Sequence, residues 1–99
     1  MIAYSFHPEA DVEFEEASLF YESRMPGLGK SFAAEVESTI SLIREFPEAG
    51  LPIGTSHRRA VVARFPYSVV YRQYPDFIVV VAVAHQRRRP GYWRRRIDD

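Results

Sequence analysis

The run His85-Gln86-Arg87-Arg88-Arg89-Pro90-Gly91-Tyr92-Trp93-Arg94-Arg95-Arg96 holds the densest set of chemically capable side chains in the sequence. A histidine can take or give a proton near neutral pH, arginine forks bind phosphate or carboxylate oxygens, and aromatic rings offer stacking surfaces. Arg87, Arg88 and Arg89 next to Tyr92 and Trp93 suit contact with an anionic partner, and Arg58, Arg59 and Arg64 extend that candidate contact surface. If the site is catalytic, His85, Arg88 and Tyr92 are its proton-transfer and charge-stabilising groups, with Arg64 a weaker addition. Each residue also has a plainer account. His85 can be a hydrogen-bonded strand terminus and 87–89 a solvated run. Tyr92 and Trp93 can cap the core beneath helices, and Arg64 can be a strand residue paired with a helix glutamate.

The elements that must position these groups lie upstream. Residues 77–84, Phe-Ile-Val-Val-Val-Ala-Val-Ala, carry no charge and are rich in β-branched side chains. At that length the run is a central strand covered on both faces, far short of the ~20 residues that span a bilayer. Pro75-Asp76 turns into it from a strand over 68–74. Residues 58–65 show period two, with arginines toward solvent, and Pro66-Tyr67 interrupts them. Residues 2–6 alternate as an edge strand. Pro8 followed by Glu9 and Asp11 marks a helix start, with Ala10, Phe14, Ala17 and Tyr21 on one stripe and Glu9, Glu13 and Glu16 largely on the other side. That helix ends near Arg24, before Met25-Pro26-Gly27-Leu28-Gly29. Leu28, Phe32, Val36, Ile40 and Ile43 then repeat at helical spacing over 28–46, and Pro47 opens a loop over 48–54. The order β-α-α-β-β-β predicts an α+β domain in which a helical hairpin packs on a mainly antiparallel sheet of about four strands.

Composition narrows the function. Ninety-nine residues with 46% hydrophobic content predict one domain, 1–99, with a modest core. The absence of cysteine removes disulfides and thiolate metal sites, and no secretion signal is read, so a cytoplasmic location is expected, with no membrane partner. His7 and His57 are too scattered to suggest a metal, and neither metal nor cofactor is expected. No Gly-rich phosphate loop or hydrolase nucleophile motif occurs, and the basic residues are not on the helices, which argues against a helix-turn-helix. A net charge of zero conceals a split. Residues 1–50 carry ten acids against three bases, whereas residues 51–99 carry ten arginines against three aspartates. One surface is therefore suited to an anionic partner, unless the acidic helices simply pair with the basic sheet.

Four stretches carry a family resemblance: Tyr21-Glu22-Ser23-Arg24 before Pro26-Gly27-Leu28-Gly29, Phe46-Pro47, Arg64-Phe65-Pro66-Tyr67-Ser68-Val69-Val70-Tyr71, and Ala82-Val83-Ala84-His85 with Arg88, Pro90, Tyr92 and Trp93. In this order the chain resembles the RelE/ParE superfamily of toxins from bacterial type II toxin-antitoxin modules, nearer the ParE-like branch, also labelled plasmid stabilisation proteins. The resemblance implies a growth-inhibiting toxin silenced by a cognate antitoxin. A ParE-like protein would bind DNA gyrase or topoisomerase, and a RelE-like one would cleave mRNA on the ribosome without a metal. A member that only binds antitoxin is a third reading. RelE-like nucleases resemble one another in an arginine where this chain has Ser68, a basic residue where it has Gln86, and a terminal aromatic acid/base matched by Tyr92. Only one of those three parts is kept, so the nuclease reading requires Arg64, His85 or Arg88 to fill the missing roles.

Overall fold

In the computed structural model, which describes residues 1–97, the chain forms β1 (Ala3–Phe6), α1 (Pro8–Arg24), α2 (Leu28–Glu45), β2 (Leu51–Ile53), β3 (His57–Val61), β4 (Tyr67–Gln73) and β5 (Phe77–His85). A short 3-10 turn, Arg94–Arg96, follows. Asp98 and Asp99, included in the expected domain, lie outside the described residues. The strands make one sheet in the order β1-β5-β4-β3-β2, parallel between β1 and β5 and antiparallel elsewhere. The α+β architecture with a helical hairpin on a mainly antiparallel sheet is the expected one, with one short strand more.

That strand is β2, in a segment expected to be loop. Its three residues pair with β3 through Leu51↔Arg59, Pro52↔Arg58 and Ile53↔His57. Pro52 lacks an N–H, and only an outermost strand tolerates that without losing a ladder bond. The strand expected over 58–65 is also shorter, because β3 stops at Val61. The chain then turns tightly, with Val62 N–H bonded to Tyr67 C=O, Tyr67 N–H bonded to Phe65 C=O, and Arg64 in the left-handed region at φ 69°.

The helices follow their sequence signals. Pro8 occupies the first turn of α1, and the His7 Nδ1 accepts from Glu9 N–H at 3.1 Å as an N-cap. Between the helices Gly27 takes φ 89°, and the Glu22 carboxylate accepts from the N–H groups of Gly27 (2.8 Å) and Gly29 (3.0 Å). A Cβ at Gly29 would collide with the Ser18 carbonyl, so glycine there lets α2 start against α1. Phe32, Val36, Ile40 and Ile43 of α2 are buried with Ala10 and Ala17 of α1 against Val69, Tyr71, Ile78, Val80 and Val83 of the sheet. Phe32 sits at the centre, its ring centroid 4.9 Å from Tyr67, 5.1 Å from Phe65 and 5.2 Å from Tyr21. Truncating such a ring to alanine typically costs about 3–5 kcal/mol.

The opposite face of the sheet is covered too, which is why β5 reads as an unbroken apolar run. Val70, Val81 and Ala82 are buried there beneath Trp93, with Ile53, Val79, Ala84, Tyr92 and Ile97 packed around them. Trp93 and Tyr92 therefore close the face away from the helices, rather than capping the core beneath them. A bulge makes this possible. Val70 pairs with Ala82 and Tyr71 with Val80, which leaves Val81 as the extra residue of β5. The bulge puts both Val81 and Ala82 in the second apolar cluster.

Candidate functional site

Beyond Val80, β5 outruns β1, which pairs only with Phe77–Val80. The edge it leaves is closed by side chains from two distant parts of the chain. The Glu13 carboxylate of α1 accepts from Val83 N–H at 3.0 Å, from the Tyr92 hydroxyl at 2.7 Å, and from both terminal nitrogens of Arg96 at 2.9 Å. Arg96 also donates to the bulged Val81 carbonyl at 3.1 Å. The Glu13 side chain is 15% exposed and that of Arg96 10%, so the pair lies in a mostly water-excluded setting where such bonds are strong. Glu13 was expected on the outer side of its helix and instead faces the sheet edge. Its spacing held the signal, since it lies three residues after Ala10 and four before Ala17, beside the buried stripe.

This knot shapes the arginine loop. The Arg88 and Arg96 guanidinium groups lie over the Tyr92 ring, 3.8 and 5.0 Å from its centroid, and Arg94 lies 5.1 Å from that of Trp93. Gly91, at φ 77°, lets the chain turn beneath the Arg94 side chain. His85 Nδ1 accepts from Arg87 N–H at 3.0 Å, its carbonyl accepts from Arg88 N–H, and its ring meets Tyr67 edge-on at 5.0 Å. The Nδ1 acceptor role leaves the ring proton on Nε2.

Between this loop and the helix-free face lies a pocket of about 340 Å³. Its floor holds Ser68, Val70, Ala84 and Trp93, and its walls carry Arg59, Arg88, Arg89 and Arg94, with His85, Gln86 and Tyr92 also contributing. Of the residues anticipated from sequence, Arg59, His85, Arg88, Arg89, Tyr92 and Trp93 thus come together. Arg58, Arg64 and Arg87 do not line it. Arg58 clamps the chain after α2 by donating to the carbonyls of Glu48 (3.2 Å) and Gly50 (2.8 Å). Arg64 pairs with Glu35 at 2.9 Å from its turn, so its plainer account holds with a change of element. Arg87 is exposed beside the pocket. Trp93 is only 4% exposed and packs 4.7 Å from the His57 ring, so it forms a floor rather than a stacking surface. Sequence reasoning missed Glu13, Arg94 and Arg96 as organising residues.

Four arginines and, among the described residues, no carboxylate line the pocket. The Tyr92 hydroxyl is pushed well above the ordinary phenol range, first by burial and then by its bond to the Glu13 carboxylate. Its proton points at Glu13, and losing it would set two negative charges side by side. The same carboxylate raises the Arg96 guanidinium above its usual value, outweighing the effect of burial. Ser68, 6% exposed, supplies no charge at the floor. Among the described residues no three His, Cys, Asp or Glu side chains meet as a metal site requires, and no helix is long and apolar enough to cross a membrane.

A two-helix hairpin on a mixed five-stranded sheet, with a basic pocket on the far face, defines a small α+β domain of known type. Its fold is shared with a solved structure titled "Chromosomal ParDE TA system from P. aeruginosa", at a TM-score of 0.74 and 15% identity, over 86% of this chain and 96% of that one. The family model for the ParE toxin of the type II toxin-antitoxin system, parDE, matches residues 4–90, and the chain belongs to that family. Comparison with curated proteins gives no significant match.

Proposed function

We propose that this protein is a binding toxin that acts in the cytoplasm, without catalysis, on DNA gyrase or a related topoisomerase, and that a cognate antitoxin neutralises it. The observation that carries this reading is the state of Tyr92. Its hydroxyl is committed to Glu13, so the one part of the nuclease pattern kept in the sequence serves to fix the C-terminal segment. The places where a nuclease would need cations are a buried serine, Ser68, and an exposed glutamine, Gln86. The pocket instead offers a basic surface around Arg59, Arg88 and Arg89, suited to steering an acidic protein surface into contact. An antitoxin segment crossing that surface would be acidic, and its affinity would fall as salt rises.

Expression of the protein in cells, with plasmid supercoiling and transcript integrity followed together, tests the reading. Altered supercoiling with intact transcripts is expected. Transcript cleavage at ribosomes with normal supercoiling overturns it in favour of the mRNA endonuclease. Neither effect, with antitoxin binding retained, identifies a module member that only binds its antitoxin.

A further inference from the structure

Among the described residues, the lining of the pocket carries four arginines and no acid. Arg59 comes from β3, Arg88 and Arg89 from the loop after β5, and Arg94 from the 3-10 turn, so four arginines from three parts of the chain line one concavity. Among the described residues no carboxylate lines it, and none of the four makes an ion pair. The surrounding rings hold Arg88 and Arg94 in place before any ligand arrives. Such an arrangement repels itself and is relieved by an anion of matching charge.

The charge count selects the anion. A carboxylate brings one charge and two acceptor oxygens, which a single arginine fork satisfies. A phosphate monoester brings roughly 1.5–2 charges and three acceptor oxygens, and two linked phosphates approach the charge of four guanidiniums. The volume, about 340 Å³, is at the small end of ligand pockets, which run from roughly 300 to 1,000 Å³. Ile53, Val70 and Pro90 give it an apolar part beside the arginines, and the amide of Gln86 lies at the same site. A nucleic-acid strand fits less well, because strand binders present aromatic platforms, whereas Trp93 is buried and the Tyr92 ring already carries two guanidinium groups.

We propose that this pocket is a binding site for a small diphosphate-bearing ligand of the nucleoside diphosphate class, held by Arg59, Arg88, Arg89 and Arg94. The site shares Arg59, Arg88 and Arg89 with the surface proposed above to meet a macromolecular partner, so ligand and partner would compete for it, but binding of the ligand by the chain alone does not depend on which target that partner is.

Calorimetric titration of the full chain with ADP, inorganic pyrophosphate and adenosine tests this, with amide chemical shifts of the labelled protein locating the site. Saturable binding of ADP and pyrophosphate, with adenosine at least tenfold weaker and shifts at Ser68, Ala84 and Gln86, is the expected result. The double variant Arg59→Ala/Arg89→Ala should weaken ADP binding at least tenfold, since both side chains are exposed and the fold does not need them. Arg95→Ala, an exposed arginine outside the pocket, should change it less than twofold. Equal weakening by Arg95→Ala overturns the site in favour of diffuse attraction. The proposal also fails if ADP does not saturate the folded protein. Tighter binding of hexaglutamate or of an oligonucleotide without a terminal phosphate at the same residues overturns the ligand class.

Discussion

Replacing Glu13 by alanine leaves four donors without their acceptor: the Val83 N–H, the Tyr92 hydroxyl and both Arg96 terminal nitrogens. Removing one partner of a buried ion pair costs about 3–5 kcal/mol, because the other charge remains uncompensated. Here the lower end applies, since Glu9 lies 3.9 Å from Arg96 and supplies part of the lost field. About 3 kcal/mol is a large share of the roughly 5–15 kcal/mol that stabilises a domain of this size. It corresponds to a fall in melting temperature of roughly 12–24 °C. Glu13→Gln keeps an oxygen for one donor and should cost about half as much. Urea unfolding followed by circular dichroism measures each variant, and a double-mutant cycle with Arg96→Met should give a coupling above about 1.5 kcal/mol. A loss below about 1 kcal/mol for Glu13→Ala, or additive effects in the cycle, would place Glu13 among ordinary surface acids and refute its organising role.

Tyr92→Phe should leave toxicity nearly unchanged and cost about 1.5–3 kcal/mol, the worth of one bond to a charged acceptor; abolished toxicity in a folded variant would restore Tyr92 as a proton donor in catalysis. Arg64→Ala should cost no more than about 1 kcal/mol, since the Glu35 pair is exposed on the arginine side, whereas Arg64→Gly relieves the φ of 69° and should be neutral or slightly stabilising in the same urea assay. The Glu22 carboxyl is held below the ordinary glutamate range, chiefly by the Gly27 N–H. Its contribution is therefore present above the unfolded-state value and is lost as pH falls through the lower folded value. Amide exchange at Gly27 and Gly29, compared with Glu22→Gln, should show that loss only in acid.

The helical hairpin was legible because Phe32, Val36, Ile40 and Ile43 repeat at a spacing only a helix can bury, and because Pro8 and Gly27 act locally. The 77–84 run was legible for the same reason: eight uncharged residues have few alternatives. β2 was hidden because three residues, one of them Pro52, generate no period. The overextension of β3 came from Ala63-Arg64-Phe65, which continues the alternation, while a positive φ at an arginine leaves no mark in sequence. The arginines show the limit most clearly. Arg58, Arg59, Arg64, Arg88 and Arg96 are alike as letters, yet they become a carbonyl clamp, a pocket wall, a surface ion pair, a ring-stacked wall and a buried tie. Their fates depend on partners 4 to 83 positions away, which spacing does not encode.

The open stretch of β5 past Val80 has a bearing on how the chain behaves in a crowded solution. A bare, apolar strand edge is a template on which another molecule can add its own strand. Glu13 and Arg96 occupy that template with charge, and Trp93 covers the valines beside it. The C-terminal segment thus covers a strand edge as well as walling the pocket. A chain clipped before Tyr92 would expose the Val81 carbonyl together with Val70 and Ala82, and would self-associate through β5 rather than stay dispersed.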